Sequence, residues 1–438
     1  MSLLPTHIPE YDENRGATFN STVAGADGCV YGIPFYSRRF VRLDPKDDSL
    51  EEFGPDLVRD LGLDEAQMRY GVLANDGFLY VILHGSQFML KVDTNEGGNN
   101  GSITMLEMTY GVFGQPRPPG SGVEGADGCL YFPFSWHKIM RFDPRTAEVT
   151  FPFRSPIGLE GGLHTNDDRI FAVPQPPGSM EDEDSAEDVV YMLDVRASSS
   201  GTFRLGSPEM TLKSYQGGTV GRDGTLYFLN RFSQVLALNT SSGSLFVQAA
   251  PHHFPETGWG AFGSPCLGSD GCIYWPPMDQ DRILKYDPYY GKVDFVGIST
   301  QEHTWSSGAT VPGGKTYFFP YHGGATQILA IDPLGDLKAE FHQRTESDPL
   351  TFGGIFQKEG FQGNTAFGVG VKKFGIYTLL QILDECIKEN EEAYRQSGCP
   401  ICMLASLCDD CPLDVIYHYM RQTVGDIKYL LEAGSYGE

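Results

Sequence analysis

Short apolar segments separated by polar turn residues recur along most of the chain, and their spacing favours strands over long amphipathic helices. The pattern is clearest in residues 25–45 (GADGCVYGIPFYSRRFVRLDP) and 125–144 (GADGCLYFPFSWHKIMRFDP), which are near copies of each other. An Asp-Gly pair, or a substitute for it, returns near residues 27, 76, 127, 167, 223, 270 and 313. This spacing of 40–56 residues indicates an internal structural repeat.

Each repeat has the pattern of four short strands. A segment of small residues precedes the Asp-Gly pair, whose glycine accepts a positive φ and whose aspartate can bond to its own backbone. An aromatic strand follows (CVYGIPF, CLYFPF, CIYWPP), and after a variable loop a third strand ends at Asp-Pro (RFVRLDP, KIMRFDP, RILKYDP, QILAIDP). Proline has no N–H with which to continue a ladder, so the strand ends there. A last strand such as SLEEFG, EVTFPF or KVDFVG completes the unit.

Sheets of this kind bury both faces when they stack on one another around an axis. The repeats therefore predict an all-β fold, a seven-bladed β-propeller of four-stranded antiparallel blades over residues 1–372, followed by a small helical segment at residues 373–438. Residues 353–369 resemble half a repeat, with Glu359-Gly360 in place of Asp-Gly. An eight-bladed ring is the alternative, and in it the N-terminal strand near residues 2–10 would complete the last blade.

The segments before the turns predict which strand lies innermost. They hold small residues in most repeats, as in Gly217-Gly218 and Ser307-Gly308, and strands crowd together around the axis of such a ring. Cys29, Cys129 and Cys272 share one repeat position. We predict that they are buried packing residues, because free cysteine behaves as a small hydrophobe.

The net charge and the number of cysteines indicate which partners the protein can bind and in which compartment it lies. The formal net charge of −25 disfavours binding to phosphate backbones. No apolar run reaches the ~18 residues that span a bilayer, and the first residues lack the basic and apolar regions of a secretory signal. The cysteines number nine, an odd count for a disulfide framework. We expect a cytoplasmic protein that binds neither nucleic acid nor membrane, and the sequence indicates no oligomeric state.

The order of the repeat, with Asp-Gly, an apolar-aromatic strand, a second apolar strand and Asp-Pro, resembles that of known β-propellers. These are the NHL-repeat, SMP-30 (gluconolactonase-like) and streptogramin-lyase-like groups. The resemblance covers residues 17–345. It concerns architecture, and because the groups include enzymes and non-enzymes it implies a fold rather than a function.

The loops between the second and third strands vary most among the repeats, and in a propeller they share one face with the connections between blades. They carry the aromatic, histidine and charged residues that binding surfaces favour. The residues predicted to contact a ligand or partner are Arg38, His84, Trp136, His137, Arg231, Asp279 and His322. We expect a binding or scaffold module without a cofactor that recognises a protein, a peptide or a small molecule on this face.

A metal-assisted lactone hydrolase or a lyase with its active site at the central channel is the alternative function. The resemblance to streptogramin lyases implies a histidine and a glutamate acting as an acid–base pair. His164 and Glu124, on inner segments of adjacent blades, are the best match for that pair. A divalent metal in the channel belongs to this alternative, although no histidines here have a local metal-ligand spacing.

The pattern changes after residue 372, where apolar residues such as Ile376, Leu380 and Leu383 fall at helical spacing. The segments CPICMLASL and PLDVIYHYMRQ faintly resemble the two helices of an ankyrin repeat. Between the predicted helices lies a C-x2-C-x5-C-x2-C pattern, formed by Cys399, Cys402, Cys408 and Cys411. Such pairs can bind zinc, but the usual separation is ~15–20 residues. We expect structural helices here, with a zinc site as the alternative.

Overall fold

The computed structural model describes most of the first three quarters of the chain. The described residues are 2–5, 19–35, 37–62, 68–83, 87–95, 102–108, 121–135, 138–154, 163–166, 169–172, 189–197, 199–204, 215–221, 224–230, 234–241, 245–248, 262–278, 280–288, 291–297, 304–311, 314–322 and 327–333. The half-repeat near residue 359, the predicted helices of residues 373–438 and the zinc alternative lie outside them.

The described strands form seven four-stranded antiparallel sheets, which are the seven predicted blades. Blades one to three consist of β2 (Phe19–Ala24), β3 (Val30–Pro34), β4 (Phe40–Asp44) and β5 (Ser49–Phe53); β6 (Met68–Leu73), β7 (Phe78–Leu83), β8 (Phe88–Asp93) and β9 (Ile103–Glu107); and β10 (Val123–Glu124), β11 (Leu130–Ser135), β12 (Lys138–Asp143) and β13 (Glu148–Arg154). Blades four and five consist of β14 (Leu163–Asn166), β15 (Arg169–Ala172), β16 (Val189–Asp194) and β17 (Ser199–Arg204); and β18 (Tyr215–Val220), β19 (Thr225–Asn230), β20 (Val235–Asn239) and β21 (Leu245–Gln248). Blade six consists of β22 (Cys266–Leu267), β23 (Ile273–Trp275), β24 (Ile283–Asp287) and β25 (Lys292–Val296), and blade seven of β26 (Thr304–Thr310), β27 (Thr316–His322), β28 (Gln327–Ile331) and β1 (Ser2–Pro5).

The N-terminal strand determines the number of blades. Strand β1 pairs antiparallel with β28, in a register that runs from Ser2 opposite Ala330 to Pro5 opposite Gln327. It is therefore the fourth strand of blade seven and not part of an eighth blade. The seven-bladed prediction is confirmed, and the eight-bladed alternative is wrong because its closing strand is already used.

The blades form a closed ring with their first strands at the centre. The first strand of each blade contacts the first strand of the next, from β2 through β26 and back to β2. Space there is small: a Cβ built on Gly308 would lie 2.9 Å from Cys266 Sγ of the preceding blade. The prediction that the small-residue segments lie innermost is confirmed for the described blades.

The hydrophobic core lies between the blades. Seven buried clusters occur among the described residues, and each joins side chains from two neighbouring blades. Cys29, Cys129 and Cys272 lie buried in three of these clusters, as predicted. All four cysteines in the described part of the chain are free thiols.

The turns and strand ends also agree with the sequence prediction. Gly28 and Gly271 have φ values of 78° and 79°, in the left-handed region that glycine enters without steric cost. Strands β4, β12 and β24 end at the aspartate of an Asp-Pro pair, as expected.

The chain divides into two compact units, Met1–Asp332 and Pro333–Glu438. The ring occupies the first. All but one residue of the second lies outside the described part of the chain, so the predicted domain boundary at residue 372 stays a prediction.

Candidate functional site

The ring has two faces of different character. Successive strands of a blade run in opposite directions, so the turns after its first and third strands lie at one end and the loop after its second strand lies at the other. We call the first end the Asp-Gly face, since it holds the turns at residues 25–29, 74–78, 125–129 and 268–272. The second end, with the loops after the second strands and the connections between blades, is the variable-loop face.

On the Asp-Gly face, the aspartate of the turn is fully engaged within its own blade. In blade six, Asp270 accepts hydrogen bonds from the backbone N–H of Cys272 at 3.0 Å, the Tyr274 hydroxyl at 2.8 Å and Lys285 Nζ at 3.0 Å. Burial raises the pKa of Asp270, but Lys285 and Tyr274 outweigh this effect and hold it below its usual value. Burial and the Asp270 charge together raise the pKa of Tyr274.

The same arrangement occurs in blades one, two and three. The turn aspartate accepts a hydrogen bond from the tyrosine four residues later and forms an ion pair with a cation fourteen or fifteen residues later, which lies opposite that tyrosine on the third strand. The groups are Asp27 with Tyr31 and Arg42, Asp76 with Tyr80 and Lys91, and Asp127 with Tyr131 and Arg141.

These carboxylates hold two strands of one blade together, so they are structural groups. Sequence reasoning identified the Asp-Gly turn but missed the tyrosine and the cation. The signal was available, because the spacing D-G-x-x-Y followed by Arg or Lys recurs in four repeats.

On the variable-loop face, Arg38 of blade one is held by a buried carboxylate. Its Nη2 lies 2.7 Å from Asp56 Oδ2, and its Nε donates to Oδ1 at 3.3 Å. Asp56 Oδ1 also accepts the backbone N–H groups of Val58 and Arg59 at 3.1 and 2.8 Å. The N–H of Arg59 and then Arg38 lower the pKa of Asp56, while desolvation opposes them. The carboxylate therefore fixes both the turn that follows it and the direction of the guanidinium.

Neighbouring contacts stiffen the same part of the face. Arg39 Nη1 donates to the carbonyl oxygen of Gly54 at 2.9 Å. The N–H of Leu57 donates to the carbonyl oxygen of Arg38 at 2.9 Å, and the Leu57 side chain is buried. The loop before β4 and the connection after β5 thus form one ordered platform, on which the Arg38 side chain stays 43% exposed.

The other predicted binding residues lie mostly beyond what the structure describes. His322 ends strand β27, and only its backbone is described. The side chains outside the described part are those of His84, Trp136, His137, Arg231 and Asp279. Trp305 lies in β26 and is buried, and its Nε1 donates to the Gln327 carbonyl oxygen at 3.2 Å.

The two residues of the catalytic alternative face different neighbouring blades. His164 lies buried on β14, and its Nε2 accepts the backbone N–H of Gly218 in blade five at 3.3 Å. Glu124 lies on β10, and its Oε2 accepts the backbone N–H of Asn75 in blade two at 2.9 Å. Burial raises the pKa of Glu124, although the Asn75 bond lowers it in part. Both side chains therefore join blades.

No group of three or more His, Cys, Asp or Glu side chains suited to holding a metal occurs among the described residues. Within the same residues, no helix has the length and apolar character needed to cross a bilayer.

The sequence matches no known protein family, and it matches no curated protein. The structure is similar to several solved propellers. A catalytically inactive virginiamycin B lyase from Staphylococcus aureus with quinupristin matches with a TM-score of 0.56 at 12% identity, over 75% of this chain and 97% of that chain. A streptogramin B lyase matches with a TM-score of 0.53 at 13% identity, over 75% and 97%. YCF48 bound to D1 peptide matches with a TM-score of 0.53 at 11% identity, over 75% and 95%.

These likenesses show the fold. The first unit of the chain is a seven-bladed β-propeller of the kind found in the streptogramin lyases, and the resemblance seen in the repeat is confirmed at the level of architecture.

Proposed function

We propose that this protein is a non-catalytic binding module that recognises a peptide or a peptide segment of another protein on its variable-loop face. The observation that carries the proposal is the contrast between the two faces. On the Asp-Gly face the turn carboxylates are bonded within their blades. On the other face the loops differ from blade to blade in length and sequence, as expected where packing does not dictate sequence.

The Arg38 platform supports a binding role. Arginine is enriched among the residues that carry binding energy. A guanidinium already fixed by Asp56 loses less side-chain entropy when a partner binds. YCF48, which has the same fold, is bound to a peptide in its solved structure. That shared fold supports recognition of an extended segment as one use of such a ring.

Selection from a random peptide library tests the proposal. The full-length protein is immobilised, and the selected peptides are measured by fluorescence anisotropy against wild type and against a variant in which Arg38, Trp136 and His137 are all alanine. We expect micromolar binding to the wild type, which corresponds to about −8 kcal/mol. We expect the variant to lose at least tenfold in affinity, since arginine and tryptophan are enriched among the contact residues whose truncation costs ~2 kcal/mol or more.

Arg145→Ala is the matched control, because Arg145 lies on the Asp-Gly face with its side chain 76% exposed and paired to Asp143. It removes a surface arginine without touching the variable-loop face. Unchanged affinity in the triple variant, or an equal loss in Arg145→Ala, would show that the face assignment is wrong.

Catalysis at the channel, by a lactone hydrolase or a lyase, is the competing function. Its support is the shared fold, whereas His164 and Glu124 bond to different blades. Metal analysis of the purified protein separates the two hypotheses. A stoichiometric divalent ion that survives combined Cys399→Ser and Cys402→Ser would favour the enzyme, and an ion lost with those cysteines would place zinc in the C-terminal region.

A cytoplasmic location remains a prediction from the odd number of cysteines.

A further inference from the structure

The contact between blades seven and one closes the ring, and it joins residues that are far apart in sequence. At the centre, the N–H of Thr22 donates to Ser307 Oγ at 2.9 Å, and Thr22 Oγ1 donates to the Ser307 carbonyl oxygen at 3.2 Å. Further out, the Phe19 and Phe319 rings meet edge to face with centroids 5.5 Å apart.

Blade seven lacks the aspartate that the other described Asp-Gly turns use. Its turn has the same backbone bonds as that of blade six: Gly314 N–H donates to the Val311 carbonyl oxygen at 3.0 Å, as Gly271 N–H does to Gly268. In the sequence, Gly313 therefore holds the repeat position that Asp270 holds in blade six.

Blade seven also lacks the usual cation. Tyr274 lies opposite Lys285 in blade six, whereas the matching Tyr317 lies opposite Ala330. The hydroxyl of Tyr317 is therefore left without either of the partners that its own blade would normally supply.

Asp48 of blade one supplies the missing carboxylate from across the interface. Its Oδ1 accepts the Tyr317 hydroxyl at 2.7 Å, and its Oδ2 lies 2.6 Å from Lys315 Nζ. Lys315 occupies the repeat position of Cys272, so the cation has moved as well. We call Asp48, Lys315 and Tyr317 the closure contact.

The turn that holds Asp48 does not itself require an aspartate. Asp48 has a φ of 57°, and the equivalent residues Ala147 and Gly291 in blades three and six have φ values of 57° and 63°. The left-handed backbone thus belongs to the turn, and of these three described turns the one that carries a carboxylate is the one that faces blade seven.

Third-to-fourth-strand turns regularly reach the preceding blade, which explains how Asp48 can do so. Thr94 Oγ1 of blade two accepts the N–H of Ala26 in blade one at 3.1 Å. The turn of blade five does the same through Thr240, whose carbonyl oxygen accepts a hydrogen bond from Arg169 of blade four at 2.7 Å. The closure contact uses the same location but adds a charged pair and a phenol.

We propose that Asp48 acts as a latch on the ring: the closure contact sets how often the interface between blades seven and one separates in the native protein. A charge-assisted hydrogen bond contributes enough free energy that its loss raises an opening constant on the order of tenfold. Local opening of this kind is measured by native-state hydrogen exchange.

The experiment compares wild type, Asp48→Asn and Asp47→Asn in the full chain by hydrogen exchange with mass spectrometry. Asparagine matches aspartate in shape and tolerates the left-handed backbone, and it removes the charge together with one of the two acceptor oxygens. Asp47 is the control, because it is an exposed neighbour whose carboxylate, among the described residues, is bonded locally, to Ser49, and not across the interface. We expect about tenfold faster exchange in β27 and β28 for Asp48→Asn, with β8 of blade two unchanged, and no acceleration for Asp47→Asn.

A double-mutant cycle with Tyr317→Phe tests the mechanism. If Asp48 acts through the Tyr317 hydroxyl, the two substitutions remove the same bond. The increase in the opening constant of the double variant is then much smaller than the product of the increases in the two single variants. Acceleration that is equal in every blade, equal for Asp47→Asn, or fully additive with Tyr317→Phe would overturn the proposal.

Discussion

Replacing the turn aspartate by asparagine should destabilise the ring in proportion to how deeply that aspartate is buried. The four repeats offer the same chemical change at four levels of burial. The side chains of Asp270 and Asp27 are 2% and 3% exposed, whereas those of Asp127 and Asp76 are 27% and 37% exposed. Asparagine keeps the size of the side chain and one acceptor oxygen, so the loss measures the charge together with the second acceptor.

The expected magnitudes come from the contacts. Removing one partner of a buried ion pair lowers the free energy of unfolding by ~3–5 kcal/mol. Since Lys285 is itself 28% exposed, solvent screening brings our expectation for Asp270→Asn to the low end, about 3 kcal/mol. Lys91 Nζ lies 3.8 Å from Asp76 Oδ2 in a more exposed pair, and we expect about 1 kcal/mol for Asp76→Asn.

Urea denaturation followed by tryptophan fluorescence measures the free energies of unfolding. The order of losses should be Asp270→Asn and Asp27→Asn, then Asp127→Asn, then Asp76→Asn. Equal losses at all four positions, or a larger loss at Asp76, would refute the argument that burial gives these networks their strength.

The pH dependence provides a second measurement on the same variant. The folded-state pKa of Asp270 lies below its usual value, so its contribution to stability is fully present above the unfolded pKa of ~3.9 and is lost as the pH falls through the folded pKa. The stability difference between wild type and Asp270→Asn should be constant from pH 5 to 8 and should shrink below about pH 4. A difference that grows on acidification would contradict this sign.

Three further predictions concern packing and turns. Burial raises the pKa of the Cys29 and Cys266 thiols to about 12, so peptide mapping after iodoacetamide treatment at about pH 8 should find both unmodified in the folded protein and alkylated in urea. Gly308→Ala should lower the urea midpoint by an amount equivalent to ~1–3 kcal/mol, because the new methyl group would press against the Phe318 ring of its own blade and against Cys266 of the preceding blade; an unchanged midpoint would argue against a crowded axis. Gly313→Asp should restore the turn carboxylate of blade seven and reduce the effect of Asp48→Asn on thermal stability, and an undiminished effect would contradict the assigned repeat position.

Local chemistry explains which parts of the fold the sequence could predict. Asp27-Gly28 and its copies need a tight turn, the Asp-Pro pairs end strands, and small residues such as those at Gly217-Gly218 fit a crowded axis. Each of these signals lies within a few residues of the feature that it predicts. The arrangement of blades follows because a four-stranded sheet cannot bury both faces alone, whereas repeated sheets stacked around an axis cover one another.

Contacts between distant segments could not be read from the sequence. The blade count depended on whether Ser2–Pro5 would pair with Gln327–Ile331, which nothing local specifies. Asp48 reaches Tyr317 only after the ring has closed.

At the candidate site, too, the sequence pattern did not reveal which distant residues are in contact. The loop pattern pointed to Arg38, but it gave no sign of its partner Asp56, which lies in the connection after β5. His164 and Glu124 were paired because adjacent inner segments carry them, yet each bonds to the blade on its other side. A sequence pattern indicates which strand holds a residue, whereas the neighbouring blade decides what the side chain contacts.

The most direct test of binding on the variable-loop face is site-specific photo-crosslinking of the library-selected peptide. A photoreactive amino acid is placed at position 282, an exposed residue in the variable loop of blade six, or at position 145 on the opposite face. Our account predicts crosslinked peptide from position 282 and none from position 145. Crosslinking from position 145 with none from position 282 would contradict it.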